Sequence, residues 1–191
     1  MGERLYIFDM GGVVIHNADV FPQVICYLGI TGEEFFTLAG KNLKKLYDGK
    51  ISTDEFWARF SRRYGRKIEE ELFSKFFNPT LDRETVHLIT QLKDSSRVVC
   101  GTNTFDPHYD YLLSRGYYDI FNAVFSSNKI GVSKPDPHFY AYILRNEEIR
   151  PENTFFVDDT EANVISATNM GITSILYTDS DSLSLYIKSH T

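Results

Sequence analysis

Apolar and polar residues along this chain keep three successive rhythms. The first is brief. Leu5-Tyr6-Ile7-Phe8 is an unbroken apolar run that delivers Asp9, the pattern of a buried strand. The second is helical and predicts helices alone from about residue 18 to 80. Thr31-Gly32-Glu33-Glu34 has the form of a capping box, and Phe35, Leu38, Ala39, Leu43 and Leu46 keep helical spacing as far as Gly49. Ser52 and Glu55 repeat the signal, and Phe56, Trp57, Phe60 and Tyr64 carry a helix to Gly65, a natural stop. Ile68, Leu72, Phe73 and Phe76 form a further stripe that ends at Asn78-Pro79.

In the third rhythm helices and strands alternate. Val86, Ile89 and Leu92 predict a helix, and Arg97–Gly101 a strand. Asp106-Pro107 opens a helix, with Asp106 as its cap and the proline in the first turn. Ala123–Phe125 is a short strand, and Asp136-Pro137 opens another helix. Thr154–Val157 is a buried strand, Thr160 caps a helix that runs to Gly171, and Thr173–Leu176 is the last strand. Such alternation implies a doubly wound, Rossmann-like α/β fold on a parallel sheet. Residues 1–16 and 81–191 then form the α/β core. Residues 17–80 form an inserted helical-bundle cap over the carboxyl ends of the strands, where open α/β sheets bind ligands.

The net charge of −6 argues against a broad surface for nucleic acid or an anionic membrane. Arg59, Arg62, Arg63, Arg66 and Lys67 are a local exception and read as the solvated end of a helix, where cations suit the dipole. Cys26 and Cys100 form no CxxC pair and no zinc spacing, and both read as buried small hydrophobes. No apolar segment approaches the length of a membrane span. The N-terminal run is broken by Asp9 and lacks a signal-peptide layout, so the cytoplasm is the expected location. Monomer and homodimer stay open.

Four strand ends carry polar residues at what should be one sheet edge: Asp9, Thr102-Asn103, Lys134 and Asp158-Asp159. Three carboxylates converge only if cations neutralise them. A hard cation with oxygen ligands, Mg²⁺ above all, fits, because it is usually held by one or two carboxylates and a substrate phosphate. A lysine with a hydroxyl and an amide is what a phosphoryl group needs. Asp9 is then free to act as a nucleophile.

These residues lie in FDMGGVV, TNT, GVSKPDP and FFVDDTEAN, motifs that resemble those of the haloacid dehalogenase-like (HAD) hydrolase superfamily. The resemblance is greatest to its phosphatase branch with a helical cap, including glucose-1-phosphatase-like members. It implies a Mg²⁺-dependent phosphatase acting on a small phosphorylated metabolite such as a sugar phosphate, with Asp9 phosphorylated. It also implies that Gly11 offers its backbone carbonyl to Mg²⁺ and that Thr102 and Asn103 hold the phosphoryl group. Lys134 would pair with Asp9 and phosphate. Asp159 would bind Mg²⁺ directly, Asp158 would hold a metal-bound water, and Asn163 would brace the acidic loop.

One departure stands out. Most phosphatases of the family carry Asp-x-Asp, whereas the second position here is Gly11, so the general acid/base is missing from its place. His16, Asp19 and His108 are the residues nearby that could contact substrate or carry a proton. Two further readings remain: a catalytically weakened phosphate-binding or interaction protein, and a 2-haloacid dehalogenase, against which the Asp158-Asp159 pair argues.

Overall fold

Nothing of β1 (Leu5–Phe8) reaches solvent. In the computed structural model, which describes residues 4–190, the chain leaves β1 through a tight turn into the short β2 (Ile15–His16). Five helices follow: α1 (Phe21–Leu28), α2 (Gly32–Ala39), α3 (Lys41–Tyr47), α4 (Thr53–Tyr64) and α5 (Leu72–Phe76). The chain returns through β3 (Thr80–Leu81) to α6 (Arg83–Leu92), β4 (Arg97–Thr102) and α7 (Asp106–Ser114). Then come β5 (Ala123–Ser126), α8 (Ser127–Ile130), α9 (Pro137–Asn146), β6 (Thr154–Asp158), α10 (Glu161–Asn169), β7 (Thr173–Leu176) and α11 (Ser180–His190).

The main sheet is parallel, in the order β5-β4-β1-β6-β7. Side chains alternate across it. Tyr6, Phe8, Val98, Cys100, Phe155 and Val157 face a cluster that takes in Leu88, Ile89 and Leu112 and runs on into the five inserted helices. Leu5, Ile7, Val99 and Phe156 face Phe139, Tyr140 and Ile143 of α9 and Ala167 of α10. The register sets Phe8 beside Cys100 and Val157, so Asp9, Thr102 and Asp158 emerge at one edge.

Both capping boxes form, at Thr31 and Ser52, and Gly65 ends α4 in the left-handed conformation. Other expectations are revised. The long helix foreseen from Phe35 to Gly49 breaks at Gly40 (φ 49°), where the Arg63 guanidinium comes in to donate to the Leu38 carbonyl. The region from 18 to 80 is not wholly helical, because Thr80-Leu81 pairs antiparallel with Ile15-His16. This ribbon ties together the two chain crossings that bound the helical segment. Asp106 lies inside α7 rather than capping it, and its carboxylate bonds Asn128 and Lys129. Thr160 occupies the N-cap of α10 without a side-chain cap bond. Cys26 is exposed, not buried; Cys100 is buried as expected. Among the described residues no helix is long and apolar enough to cross a membrane.

Candidate active site

Lys134 organises the sheet edge. Its side chain is fully buried, and its ammonium lies 2.9 Å from Asp9 Oδ1 and 2.6 Å from Asp158 Oδ2 while donating at 2.8 Å to the Gly101 carbonyl. Three partners match the three protons of the group. The lysine loop is held by Asn103, whose side chain accepts from Lys134 N and donates to Lys134 O, both at 2.9 Å. In this structure Asn103 is therefore spent on the lysine backbone, while Thr102 stands buried at the end of β4 beside Asp9.

Asp158 is fully buried. Its oxygens accept from Thr160 N at 2.8 Å, from Asn163 Nδ2 at 3.0 and 3.1 Å, and from Lys134. Asn163 and the Thr160 amide thus hold the Asp158 carboxylate, which acts on the lysine and its own loop. Asp159 is exposed. It lies so near the β1–β2 turn that a Cβ on Gly12 (φ 75°) would come within 2.0 Å of its carboxylate. Only glycine accommodates both that backbone and that approach.

Carboxylate oxygens of Asp9, Asp158 and Asp159 all come within 4.8 Å of one another. One lysine cannot neutralise three acids. Burial pushes the Asp9 carboxyl up to about 7, with Lys134 pulling it down and Asp158 pushing it further up. Burial and the Asp158 charge likewise raise Asp159. In the adjoining turn the backbone donors go to the carbonyls of Met10 and Ile15, and none goes to that of Gly11. An all-oxygen donor set with excess negative charge fits a hard divalent cation such as Mg²⁺.

Asp9, Gly11, Thr102, Asn103 and Asp159 line a cleft of about 600 Å³. His16, Asp19 and His108 line it too. His16 Nε2 bonds Asp82 Oδ2 at 2.8 Å, and Asp19 Oδ1 accepts from Phe21 N at the start of α1. His108 is buried against Phe77, with ring centroids 3.7 Å apart, and its Nε2 lies 3.1 Å from the Phe73 carbonyl. Burial lowers its pKa to about 4, so it is neutral near pH 7 and serves to join α7 to α5.

Phe77, which reads with the other cap phenylalanines as core, is buried in the core cluster, as is Phe105, yet both also line the cleft; sequence reasoning missed Tyr47, half-buried beside them. It also missed Asp48 and Ser133, a buried pair that fastens the helical segment to the lysine loop. An acid just before a glycine after a helix reads only as a turn.

The haloacid dehalogenase-like hydrolase model matches residues 3–171. A sesquiterpene phosphatase of Aspergillus oryzae is 30% identical over 183 residues, covering 91% of this chain and 89% of that protein. A D-ribitol-5-phosphate phosphatase of Bacteroides thetaiotaomicron is 25% identical over 182 residues, covering 86% and 87%. A drimenol cyclase of Aspergillus calidoustus is 28% identical over 145 residues, but the match takes in 70% of this chain and only 27% of that longer protein. A HAD family enzyme of Bacteroides thetaiotaomicron, solved with magnesium and inorganic phosphate, superposes with a TM-score of 0.75 at 23% identity, over 93% of this chain and 95% of that one. By the family match and the similarity over its length, this chain belongs to the haloacid dehalogenase-like hydrolases.

Proposed function

We propose that the chain is a Mg²⁺-dependent phosphomonoesterase acting on a small phosphorylated metabolite, a cytoplasmic one, with Asp9 as nucleophile. The observation that carries this reading is the ammonium of Lys134 shared between Asp9 and Asp158, with Asp9 left facing the cleft. The phosphatases among its relatives support it.

Asp9, Asp159 and the Gly11 carbonyl would hold Mg²⁺, which supplies positive charge to the phosphoryl oxygens. Lys134 fixes Asp9 through Oδ1. The other carboxylate oxygen attacks phosphorus, and the ester P–O bond breaks with its electron pair going to the alcohol oxygen. That oxygen takes a proton from solvent or from a group at the cleft rim, where Asp19 and His16 stand. Water then attacks the phosphorus of the phosphoaspartate, passes its proton to solvent or to the rim group that protonated the alcohol, and breaks the P–O bond to Asp9, releasing inorganic phosphate and the Asp9 carboxylate. Thr102, which lines the cleft, would donate to a phosphoryl oxygen. Residues 17–80 would act as a cap, with Phe21, Tyr47 and Phe77 of that segment lining the cleft, and would limit water there.

The test is hydrolysis of p-nitrophenyl phosphate and a panel of monophosphates with Mg²⁺ and with EDTA, beside Asp9→Asn. Turnover that needs Mg²⁺ and vanishes in Asp9→Asn is expected. A folded protein that binds Mg²⁺ and phosphate without turnover would make it a binding protein, the reading that Gly11 favours.

A further inference from the structure

The far wall of the cleft differs in character from its floor. Tyr47, Phe105, His108 and Phe77 run side by side along it, with successive ring centroids 5.6, 4.3 and 3.7 Å apart; Tyr47 is half-buried and the other three present only a small face to the cleft. Leu112 lies with them. The imidazole is no exception, since it is buried, uncharged near pH 7 and turned toward the Phe73 carbonyl.

Charge is distributed just as unevenly. Among the described residues no arginine or lysine lines this cleft. Lys134 lies beneath it, with all three protons committed. The charged group at the rim is the Asp19 carboxylate, which would repel an anion. The polar side chains near it are largely engaged: His16 with Asp82, Asp19 with the α1 amide, and Asn103 with Lys134. Asn17, Gln23 and the Tyr47 hydroxyl are the uncharged polar groups left at that end of the cleft. A second phosphate or carboxylate would meet no cation and would stay desolvated without a partner, which is costly.

We propose that the alcohol half of the substrate is uncharged and largely apolar or aromatic, packed along Tyr47, Phe105 and Phe77, and that this wall rejects leaving groups with a second anionic group. The inference rests on the phosphatase reading only in placing the phosphoryl end at Asp9. The volume lies within the range of pockets that enclose whole organic ligands.

Alkyl phosphonates, which cannot be hydrolysed, test it without turnover. Butyl-, hexyl- and octylphosphonate are titrated calorimetrically into the full chain with Mg²⁺, beside the octyl compound carrying a terminal carboxylate. Affinity should rise about two- to fourfold per methylene, up to the value for full burial. The terminal carboxylate should weaken binding about tenfold or more. Tyr47→Arg should reverse that penalty. Gln23→Arg, on exposed α1 at the same cleft, makes the same test if Tyr47→Arg fails to fold. A flat chain-length series, tighter binding of the carboxylate compound, or no phosphonate binding at all would overturn the proposal. Hydrolysis of the matching alkyl monophosphates is measured in parallel. Rising affinity with no turnover of these or of p-nitrophenyl phosphate would sink the phosphatase reading and leave this specificity standing. Turnover indifferent to chain length would do the reverse.

Discussion

Asp48, between α3 and α4, accepts a 2.7 Å hydrogen bond from Ser133, the residue immediately before Lys134. Lys44 and Lys50 reach the same carboxylate at 2.9 and 3.0 Å. Burial alone would raise the Asp48 pKa, but Ser133 and the two lysines outweigh it and hold the carboxyl below its usual range. Next to it, Gly49 (φ 63°) passes so close to α8 that a Cβ would sit 2.1 Å from the Asn128 carbonyl. The helical segment is thus seated on the core beside the lysine loop.

That seating predicts energetic coupling. Asp48→Ala should cost about 1–3 kcal/mol, the range for a hydrogen-bonded buried charge, reduced because both lysines are largely exposed. Thermal unfolding of Asp48→Ala, Ser133→Ala and the double variant should give a coupling of about 1 kcal/mol or more. Strict additivity would show that the contact does not join the two parts.

Divalent cations should stabilise the fold as well as activate it. The excess negative charge of the acidic trio is relieved when a cation binds, and ligation adds about 2.7 kcal/mol at a hundredfold excess over Kd. Mg²⁺ should therefore raise the Tm of the native chain. Asp159→Asn should blunt the shift, and Gly12→Ala should do the same by displacing the Asp159 carboxylate. Equal Mg²⁺ shifts in all three proteins would remove Asp159 from the ligand set.

His108 makes stability depend on pH. Its pKa falls from 6.5 when unfolded to about 4 when folded. Between those values the unfolded chain binds more protons, so acidification destabilises the native state. The contribution is at most ~1.4 kcal/mol per pH unit. Asp9, whose pKa is raised to about 7, works in the opposite direction over much of this window, so a comparison is needed. The stability difference between native and His108→Gln chains should shrink steadily from pH 6.5 to 4 in denaturant titrations. A constant difference would mean that His108 is not buried neutral.

Gly11 predicts a leaving-group dependence. Without an acid at that position, alkyl phosphates should be turned over far more slowly than p-nitrophenyl phosphate, whose leaving group needs no proton. Gly11→Asp meets the Ala18 Cβ at 3.2 Å, a contact that must give by a few tenths of an ångström. It should raise kcat for alkyl phosphates by roughly 10- to 100-fold, the lower part of what general acid catalysis supplies, and leave p-nitrophenyl phosphate nearly unchanged. An equal effect on both would point to a role in binding.

The sequence by itself determined the sheet and the strand ends. Fully buried strands read as continuous apolar runs, and Asp9, Thr102, Lys134 and Asp158 each stand at the end of one or in the loop beyond it. Both capping boxes were legible too, because such signals are confined to a few adjacent residues. Tertiary structure decided the rest. Gly40 breaks a helix because an arginine from α4 arrives there, and two-residue strands form only because β2 and β3 meet. Asn103 turns to the lysine backbone, and Asp48 finds Ser133 across 85 residues of chain. Whether Phe77 and Phe105 fill a core or line a cleft depends on how the helical segment seats on the sheet. Periodicity reports which face of an element is apolar; what that face meets is settled by contacts between residues far apart in sequence.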